Sequence, residues 1–216
     1  MHEKHYWIRS LTFLTAAILL PFAVTAEQTP MGDPINTEWL GPYVKGGVNI
    51  GAVEIDSSRV DTDAGGGVAL ALGYRALPWL AGEFQFDYLG GSTIEVSGTD
   101  VADGNYFDFT FNAKAFPVPL LNDHVLERDL PLVKWLEPYA LLGIGGGEFE
   151  FDGKNGRSTS NESTFVVRLG LGVDFLMAQH WGVSLDGGFH FTTDDDLDDA
   201  DILGVGIFNL GVFWRF

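Results

Sequence analysis

The chain ends with the stretch Ile207-Phe208-Asn209-Leu210-Gly211-Val212-Phe213-Trp214-Arg215-Phe216. Every second residue, counted back from the terminus, is apolar: Phe216, Trp214, Val212, Leu210 and Phe208. The alternate positions are mixed and hold Arg215, Phe213, Gly211, Asn209 and Ile207. Because successive side chains point to opposite faces of a β-strand, this period of two predicts a strand with one wholly apolar face.

Seven earlier segments show the same alternation, at residues 44–50, 67–75, 83–88, 107–115, 139–151, 165–175 and 181–191. The segment 107–115 is the most regular, since its Phe and Ala residues alternate with Asp108, Thr110, Asn112 and Lys114. The segment 139–151 is irregular, because Phe149 and Phe151 lie in the opposite register from the apolar residues before them. Either a bulge near residues 145–147 or an upper part that stands clear of a membrane would explain the change.

The composition of the two faces separates a membrane barrel from a soluble sandwich. In a soluble antiparallel sandwich, the apolar face packs into a core and the other face is polar and solvated. Here the polar face is thin and rich in glycine, of which the chain has 28, whereas Phe, Leu and Val dominate the apolar face. Large apolar side chains on the outside suit contact with lipid, and small or polar ones suit a crowded interior.

The connectors between the segments alternate in length. Residues 76–79 and 177–180 are predicted to be tight turns, whereas the longer loops are rich in Gly, Ser, Thr, Asn and Asp and span 52–65, 91–105, 152–163 and 192–201. Outer-membrane barrels likewise have short periplasmic turns and longer external loops. The connector 117–137 is long although it lies on the side that otherwise has tight turns. Residues 120–136 within it could hold a short amphipathic helix.

Tryptophan placement agrees with a barrel. After residue 26 the chain has five tryptophans, each next to a periplasmic end of a segment: Trp39, Trp79, Trp135, Trp181 and Trp214. Indole rings prefer the membrane interface, where the ring meets the acyl chains and the N–H meets the headgroups. We therefore expect these five residues to form interface aromatics on the periplasmic side.

With these features together, residues 41–216 resemble the OmpA/OmpX-type barrels of bacterial outer membranes, including their OmpW-like and Opa-like relatives. The resemblance implies an all-β fold, an eight-stranded antiparallel up-and-down transmembrane β-barrel. It implies contact with outer-membrane lipid and lipopolysaccharide, and a monomeric state. It also implies that the barrel-assembly machinery recognises the apolar series of the last strand: Phe208, Leu210, Val212, Trp214 and Phe216.

The N-terminus has the features of a secretory signal peptide, residues 1–26. Lys4 and Arg9 precede an apolar run at 11–24, and small residues follow it as a cleavage site. The run is too short to favour a membrane anchor. Residues 27–40 are polar and are expected to form an extended leader before the barrel domain.

The charge and cysteine content exclude some classes of protein. Without residues 1–26, the chain has 10 basic and 29 acidic residues, which argues against binding of nucleic acid through a basic patch. There are no cysteines, so the stability of the exported chain does not rest on disulfides. We expect no cofactor.

Eight strands enclose a bore so narrow that side chains fill it. The polar positions of the alternating segments are therefore predicted to form a paired network in the lumen: Lys45, Arg75, Glu83, Gln85, Asp87, Asp108, Asn112, Lys114, Arg168, Asp174, Asp186 and Arg215. Pairing is required because a buried charge without a partner is strongly unfavourable. We expect Arg75 to pair with Glu83 across one tight turn, and Arg168 with Asp186 across the other.

His190 and Asp186, close together on one segment, are candidates for a rim hydrolase acting on lipid A. Outer-membrane deacylases place such residues at the barrel rim, but Phe191 and Thr192 stand where a His-x-Ser-Asn arrangement would continue. A histidine that joins the lumen network is the simpler interpretation, and we expect no enzyme activity.

The densest charge in the chain lies at residues 194–201. Carboxylates suit Ca²⁺ or Mg²⁺, which take oxygen ligands, and the candidate metal ligands are Asp194, Asp195, Asp196, Asp198, Asp199 and Asp201. The run lacks the glycine and terminal glutamate of an EF-hand loop, so a solvated loop tip is the simpler interpretation.

Three functions are compatible with these features. The first, which we predict, is a structural or surface-interaction barrel whose external loops contact the environment, host molecules or lipopolysaccharide. The second is a narrow OmpW-like channel for ions or small apolar solutes, which the charged lumen disfavours. The third is the rim hydrolase.

Overall fold

The structure is a computed structural model that describes residues 39–56, 60–96, 99–118, 136–153, 160–193, 196–197 and 200–216. The predicted signal peptide, the leader up to residue 38, Trp135 and the predicted helix as far as residue 135 lie outside the described residues. Among the described residues, no helix is long and apolar enough to cross a membrane. The strands are β1 (Gly41–Asp56), β2 (Val60–Thr62), β3 (Gly65–Leu77), β4 (Leu80–Val96), β5 (Thr99–Ala115), β6 (Leu136–Gly153), β7 (Ser160–Leu176), β8 (Trp181–Thr193), β9 (Asp196–Leu197) and β10 (Ala200–Arg215).

Eight long strands close into an antiparallel barrel, and the short strands β2 and β9 extend it. The long strands pair in the order β1-β3-β4-β5-β6-β7-β8-β10, and β10 pairs with β1 to complete the ring. That last pairing runs from Tyr43 opposite Arg215 to Asp56 opposite Asp201. Closure gives the backbone of each long strand a hydrogen-bonding neighbour on both sides, as a β-structure in lipid requires. The predicted eight-stranded up-and-down barrel is confirmed.

The two faces of the barrel wall differ as the alternation predicts. Outward side chains are apolar and strongly exposed, for example Leu171 at 71% and Phe111 at 67%. The neighbours of Phe111 along β5, Thr110 and Asn112, are buried in the interior. Along β10 and at the residue that follows it, the whole predicted apolar series is exposed: Phe208, Leu210, Val212, Trp214 and Phe216.

The barrel has two unlike ends. We call the end that carries Gly41, Phe216 and the connectors 78–79 and 177–180 the turn end, and the opposite end the hairpin end. At the hairpin end, strands extend into the stretches predicted as loops, and they cover most of the described residues of 52–65, 91–105, 152–163 and 192–201. The loop prediction was wrong for these residues because outward side chains beyond the lipid are no longer apolar. The alternation therefore disappears from the sequence, although the backbone pairing continues.

Strand β6 resolves the irregular segment. Its pairings with β5 and β7 run through residues 145–147 without a register shift, so the bulge, one of the two explanations left open by the sequence, is wrong. Phe149 and Phe151 point inward, and Phe149 is 0% exposed. The alternate positions, Glu148 and Glu150, lie on the outer face. The polarity of the two faces reverses here because the interior of the hairpin end is apolar.

Two inward glycines make room for tyrosine rings. Gly73 lies directly opposite Tyr43, and Gly172 lies directly opposite Tyr139. A Cβ atom on either glycine would overlap the ring of the opposing tyrosine. Each ring therefore lies against the barrel wall, and its hydroxyl group reaches the charged interior.

Candidate functional site

The interior of the barrel collects the polar side chains of the inner face. All twelve predicted lumen residues are buried there: Lys45, Arg75, Glu83, Gln85, Asp87, Asp108, Asn112, Lys114, Arg168, Asp174, Asp186 and Arg215. Glu137, which was not predicted from the sequence, is buried with them. Their contacts form a turn-end, a middle and a hairpin-end cluster.

In the turn-end cluster, Glu137 joins two arginines. Arg75 Nη1 lies 3.0 Å from Glu137 Oε1, and Arg215 Nη2 lies 2.6 Å from Glu137 Oε2. The predicted pair of Arg75 with Glu83 is wrong. In the β3–β4 register Arg75 lies opposite Ala81, two residues short of Glu83, and its guanidinium turns to β6 across the lumen.

The middle cluster is organised around Glu83. Lys45 Nζ lies 3.6 Å from Glu83 Oε1, and Lys114 Nζ lies 3.5 Å from Glu83 Oε2. Tyr43 donates its hydroxyl hydrogen to Glu83 Oε2 at 2.8 Å. Lys114 Nζ also lies 3.6 Å from Asp174 Oδ2. The cluster thus compensates two carboxylates with two ammonium groups and a tyrosine hydroxyl.

Arg168 links the middle and hairpin-end clusters. Lys45 Nζ lies 3.1 Å from Asp186 Oδ2, and Arg168 Nη2 lies 2.9 Å from Asp186 Oδ1. The other terminal nitrogen of Arg168, Nη1, lies 3.4 Å from Asp87 Oδ2. Arg168 is 0% exposed, and its predicted pair with Asp186 is present. The ion pairs therefore continue from the middle of the lumen toward the hairpin end.

The hairpin-end cluster contains Asp87, Asp108, His190 and Tyr106. His190 Nδ1 lies 2.5 Å from Asp108 Oδ2, and the Tyr106 hydroxyl donates to the same oxygen at 2.7 Å. Asp87 lies directly opposite Asp108 in the β4–β5 pairing. The predicted partnership of His190 with Asp186 is therefore wrong: the imidazole contacts a carboxylate from across the barrel, and Asp186 belongs to the ion pairs of Arg168.

Apolar side chains fill the hairpin end around and beyond His190. We call this cluster the plug, and its members are Val53, Leu89, Ile94, Tyr106, Phe149, Phe151, Val205 and Ile207. Tyr106 joins the plug to the charged interior, because its ring centre lies 4.7 Å from that of Phe149 while its hydroxyl bonds Asp108. His190 is 0% exposed. It is therefore not presented at the rim, where a hydrolase acting on lipid A would need it.

The predicted interface tryptophans fall into two groups. Trp79, Trp181 and Trp214 are exposed near the turn end. Trp39 instead packs at the mouth of the lumen, where its Nε1–H donates to the carbonyl oxygen of Phe216 at 3.3 Å and its ring lies 5.1 Å from the Arg215 guanidinium carbon. The prediction that Trp39 is an interface aromatic with its ring against the acyl chains is therefore wrong.

Most of the acidic run at the last hairpin, with its predicted metal ligands, falls outside the part of the chain that the structure describes. The residues concerned are Asp194, Asp195, Asp198 and Asp199. For Asp196 and Asp201, the backbone pairing of β9 with β10 is described. Binding of Ca²⁺ or Mg²⁺ by this run therefore stays a prediction.

Some interior residues were missed although their position along the strand could have identified them. Glu137 and Tyr139 occupy the same alternate positions of β6 as the inward Leu141. Asn209, in the mixed register of the C-terminal stretch, donates from Nδ2 to Asp186 Oδ1 at 3.0 Å. Alternation alone thus predicts that these residues point inward, but not which charges they meet.

Comparison with solved structures finds the same fold. Ail, the attachment invasion locus protein of Yersinia pestis, is 20% identical, with a TM-score of 0.53 over 82% of this chain and 100% of that chain. Neisserial surface protein A is 15% identical, with a TM-score of 0.56 over 82% and 97%. OprG of Pseudomonas aeruginosa is 12% identical, with a TM-score of 0.57 over 85% and 99%.

Sequence comparison gives the family. No curated protein sequence matches this chain. A family model described as the outer membrane protein beta-barrel domain matches residues 13–216. The resemblance to small outer-membrane barrels is thereby confirmed, and the chain belongs to the outer membrane protein beta-barrel family, as an integral protein of the bacterial outer membrane.

Proposed function

We propose that this protein is a structural and surface-interaction barrel whose lumen carries no solute. The observation that supports the proposal is the filled interior, in which ion pairs lie between the levels of Glu137 and Asp87 and the plug occupies the hairpin end. Side chains are expected to fill a bore of eight strands. Contact with other molecules then falls to the hairpins, because function commonly resides in the connecting segments of a rigid scaffold.

The two ends of the barrel are assigned by the lengths of their connectors. Outer-membrane barrels have short periplasmic turns and longer external hairpins. On this basis the turn end lies in the periplasm and the hairpin end faces the cell exterior. The exposed tryptophans near the turn end then lie at the interface between the outer membrane and the periplasm, as indole groups prefer.

The charge of the hairpins restricts the chemistry of a surface partner. Residues 54–63, 91–105, 148–163 and 192–203 include 17 acidic and three basic residues. Such a surface attracts cations and repels anions. Contact with the phosphates of lipopolysaccharide would therefore require bridging by Mg²⁺ or Ca²⁺, which bind oxygen ligands.

The charge of the hairpins also predicts how this protein responds to a polyanion. Ail has been solved in complex with the heparin analogue sucrose octasulfate. We expect this protein to bind that polyanion much more weakly than a polycation such as polylysine. Isothermal titration of detergent-solubilised protein with the two compounds tests the expectation. Equal or tighter binding of sucrose octasulfate would contradict an acidic contact surface.

The absence of solute passage is testable by single-channel recording in planar bilayers. We expect no stable conductance steps from the wild-type protein, because the plug and the ion pairs occupy the bore. The double variant Phe149→Ala, Phe151→Ala removes two plug side chains and should admit more leakage current. Regular steps from the wild type would instead favour the narrow channel.

Four further parts of the proposal concern export, assembly, catalysis and oligomeric state. N-terminal sequencing of the protein from membranes should begin at Glu27 if residues 1–26 are a signal peptide.

If the assembly machinery recognises the last strand, removal of Phe216 should reduce the amount of assembled barrel. If the protein is no hydrolase, incubation with lipopolysaccharide should release no fatty acid.

If the protein is a monomer, light scattering should give a protein mass that corresponds to one chain.

A further inference from the structure

We propose that Asp87, Asp108 and His190 bind one divalent metal ion inside the barrel. One potential ligand atom from each of the three residues lies within 4.8 Å of the other two, and all three side chains are buried. Two carboxylates and one imidazole suit Zn²⁺ or Mn²⁺ better than Ca²⁺, which prefers oxygen ligands alone.

The first argument is the juxtaposition of the two carboxylates. Asp87 and Asp108 lie directly opposite each other on β4 and β5, and both point inward. Like charges at directly opposite positions destabilise a strand pair, and exclusion of water strengthens the repulsion. Of these two carboxylates, Arg168 approaches only that of Asp87, at 3.4 Å. A metal ion between the carboxylates would turn this repulsion into shared coordination.

The second argument is the charge of the interior. The buried carboxylates on the inner face of the described strands number six: Glu83, Asp87, Asp108, Glu137, Asp174 and Asp186. The buried basic residues there number five: Lys45, Arg75, Lys114, Arg168 and Arg215. The carboxylates therefore outnumber the Lys and Arg side chains by one, and Asp108 is the carboxylate for which the described contacts include no Lys or Arg.

The third argument is a set of buried polar atoms that lack a hydrogen-bond partner. Asp108 Oδ1 and His190 Nε2 are two of them. Gln85 and Asn49 donate to Asp87 at 2.7 Å and 3.4 Å, and their carbonyl oxygens, Oε1 and Oδ1, are two more. Buried polar atoms normally have partners. A metal ion bound by Asp108 and His190 would supply the partner that Asp108 Oδ1 and His190 Nε2 lack.

The surrounding contacts are those expected of residues that orient metal ligands. Tyr106 donates to Asp108 Oδ2, while Gln85 and Arg168 contact Asp87 Oδ2. Partners of this kind fix the orientation of ligating side chains in known metal sites. Because the plug covers the cluster, we expect the ion to be captured as the barrel closes, so that metal binding and folding are coupled.

The test uses the exported protein, without a histidine tag, purified from membranes in detergent. After passage over a chelating resin, elemental analysis should find about one Zn²⁺ or Mn²⁺ per chain, as a coupled site would retain its ion. Protein refolded with Zn²⁺ or Mn²⁺ should unfold at a higher urea concentration than protein refolded in EDTA. Absence of a retained ion together with equal midpoints would overturn the proposal.

Three variants locate the ion. Asp108→Asn and His190→Gln should lose it, whereas Asp174→Asn, which removes a lumen carboxylate outside the cluster, should keep it. Retention in both cluster variants would overturn the proposal and place the ion elsewhere, for example at residues 194–201. Should the cluster variants fail to fold, the wild-type comparison of refolding with metal and with EDTA still decides.

Discussion

Arg168 joins two carboxylates that approach it from different strands. Replacing it with leucine would leave Asp87 and Asp186 short of a partner in a water-excluded interior, which costs roughly 3–5 kcal/mol. We expect Arg168→Leu to lower the midpoint of urea unfolding in lipid vesicles. Glu150→Gln, on the outer face, is the control and should change stability by less than about 0.5 kcal/mol. An unchanged midpoint for Arg168→Leu would count against its inward position.

The partner of Arg75 can be identified by double-mutant cycles. Arg75 contacts Glu137 through both carboxylate oxygens, at 3.0 and 3.1 Å, and not Glu83. We expect a coupling energy above about 1 kcal/mol for Arg75→Leu with Glu137→Gln, and a much smaller one for Arg75→Leu with Glu83→Gln. Urea unfolding of the single and double variants measures both. The reverse order would restore the partner predicted from sequence.

The inward direction of single residues followed from sequence, whereas their partners did not. Alternation depends only on the backbone period, so the positions of Arg75, Glu83 and Arg168 on the inner face could be predicted. The partner of Arg75 depends on how far β6 is displaced along the axis when the ring closes, and no local pattern contains that displacement. The prediction for Arg168 and Asp186 was correct, whereas the same reasoning failed for Arg75 and Glu83. Adjacent strands with a short connector therefore do not by themselves decide the partner.

Within strands, the inward glycines opposite tyrosines give a matched test. Gly172→Ala would place a Cβ atom against the ring of Tyr139 and should cost about 1–3 kcal/mol through overpacking. Gly82, exposed on the outer face of β4, has open space around it, since a Cβ atom there would meet no other atom within 4 Å. Gly82→Ala should therefore be neutral within about 0.5 kcal/mol. Equal loss of unfolding free energy in the two variants would show that strand propensity, not the tyrosine ring, sets the cost.

The strand ends illustrate where sequence patterns stop being informative. The apolar half of the pattern identifies a strand only while one face contacts lipid. Beyond Tyr88 on β4 and Phe107 on β5 the pairing continues through Thr93 opposite Asp103, but these polar outward residues were interpreted as a loop. At Phe149 the pattern fails for a different reason. This apolar residue points inward, because the interior of the hairpin end holds the apolar plug in place of polar side chains.

At the scale of the whole molecule, closure of the ring predicts unusual resistance to detergent. Opening the barrel requires one of the pairings between long strands, such as that of β1 with β10, to break along most of its length, with exposure of backbone groups. We therefore expect unheated protein in sodium dodecyl sulfate to migrate as a compact species on a gel, and boiled protein to migrate differently. Identical migration of the two samples would indicate that the strands do not form a closed ring.

The most direct test of the central arrangement, apolar side chains against lipid and charged ones inside, is a scan of spin labels along β5. The chain has no cysteine, so single cysteines at residues 106–111 can be labelled without background in lipid vesicles. We predict that labels at 107, 109 and 111 collide readily with dissolved oxygen, as lipid-facing groups do, and that labels at 106, 108 and 110 are shielded from both oxygen and a water-soluble nickel complex. High accessibility of 108 and 110 to the nickel complex, with 107, 109 and 111 shielded from oxygen, would show that the apolar face is the interior.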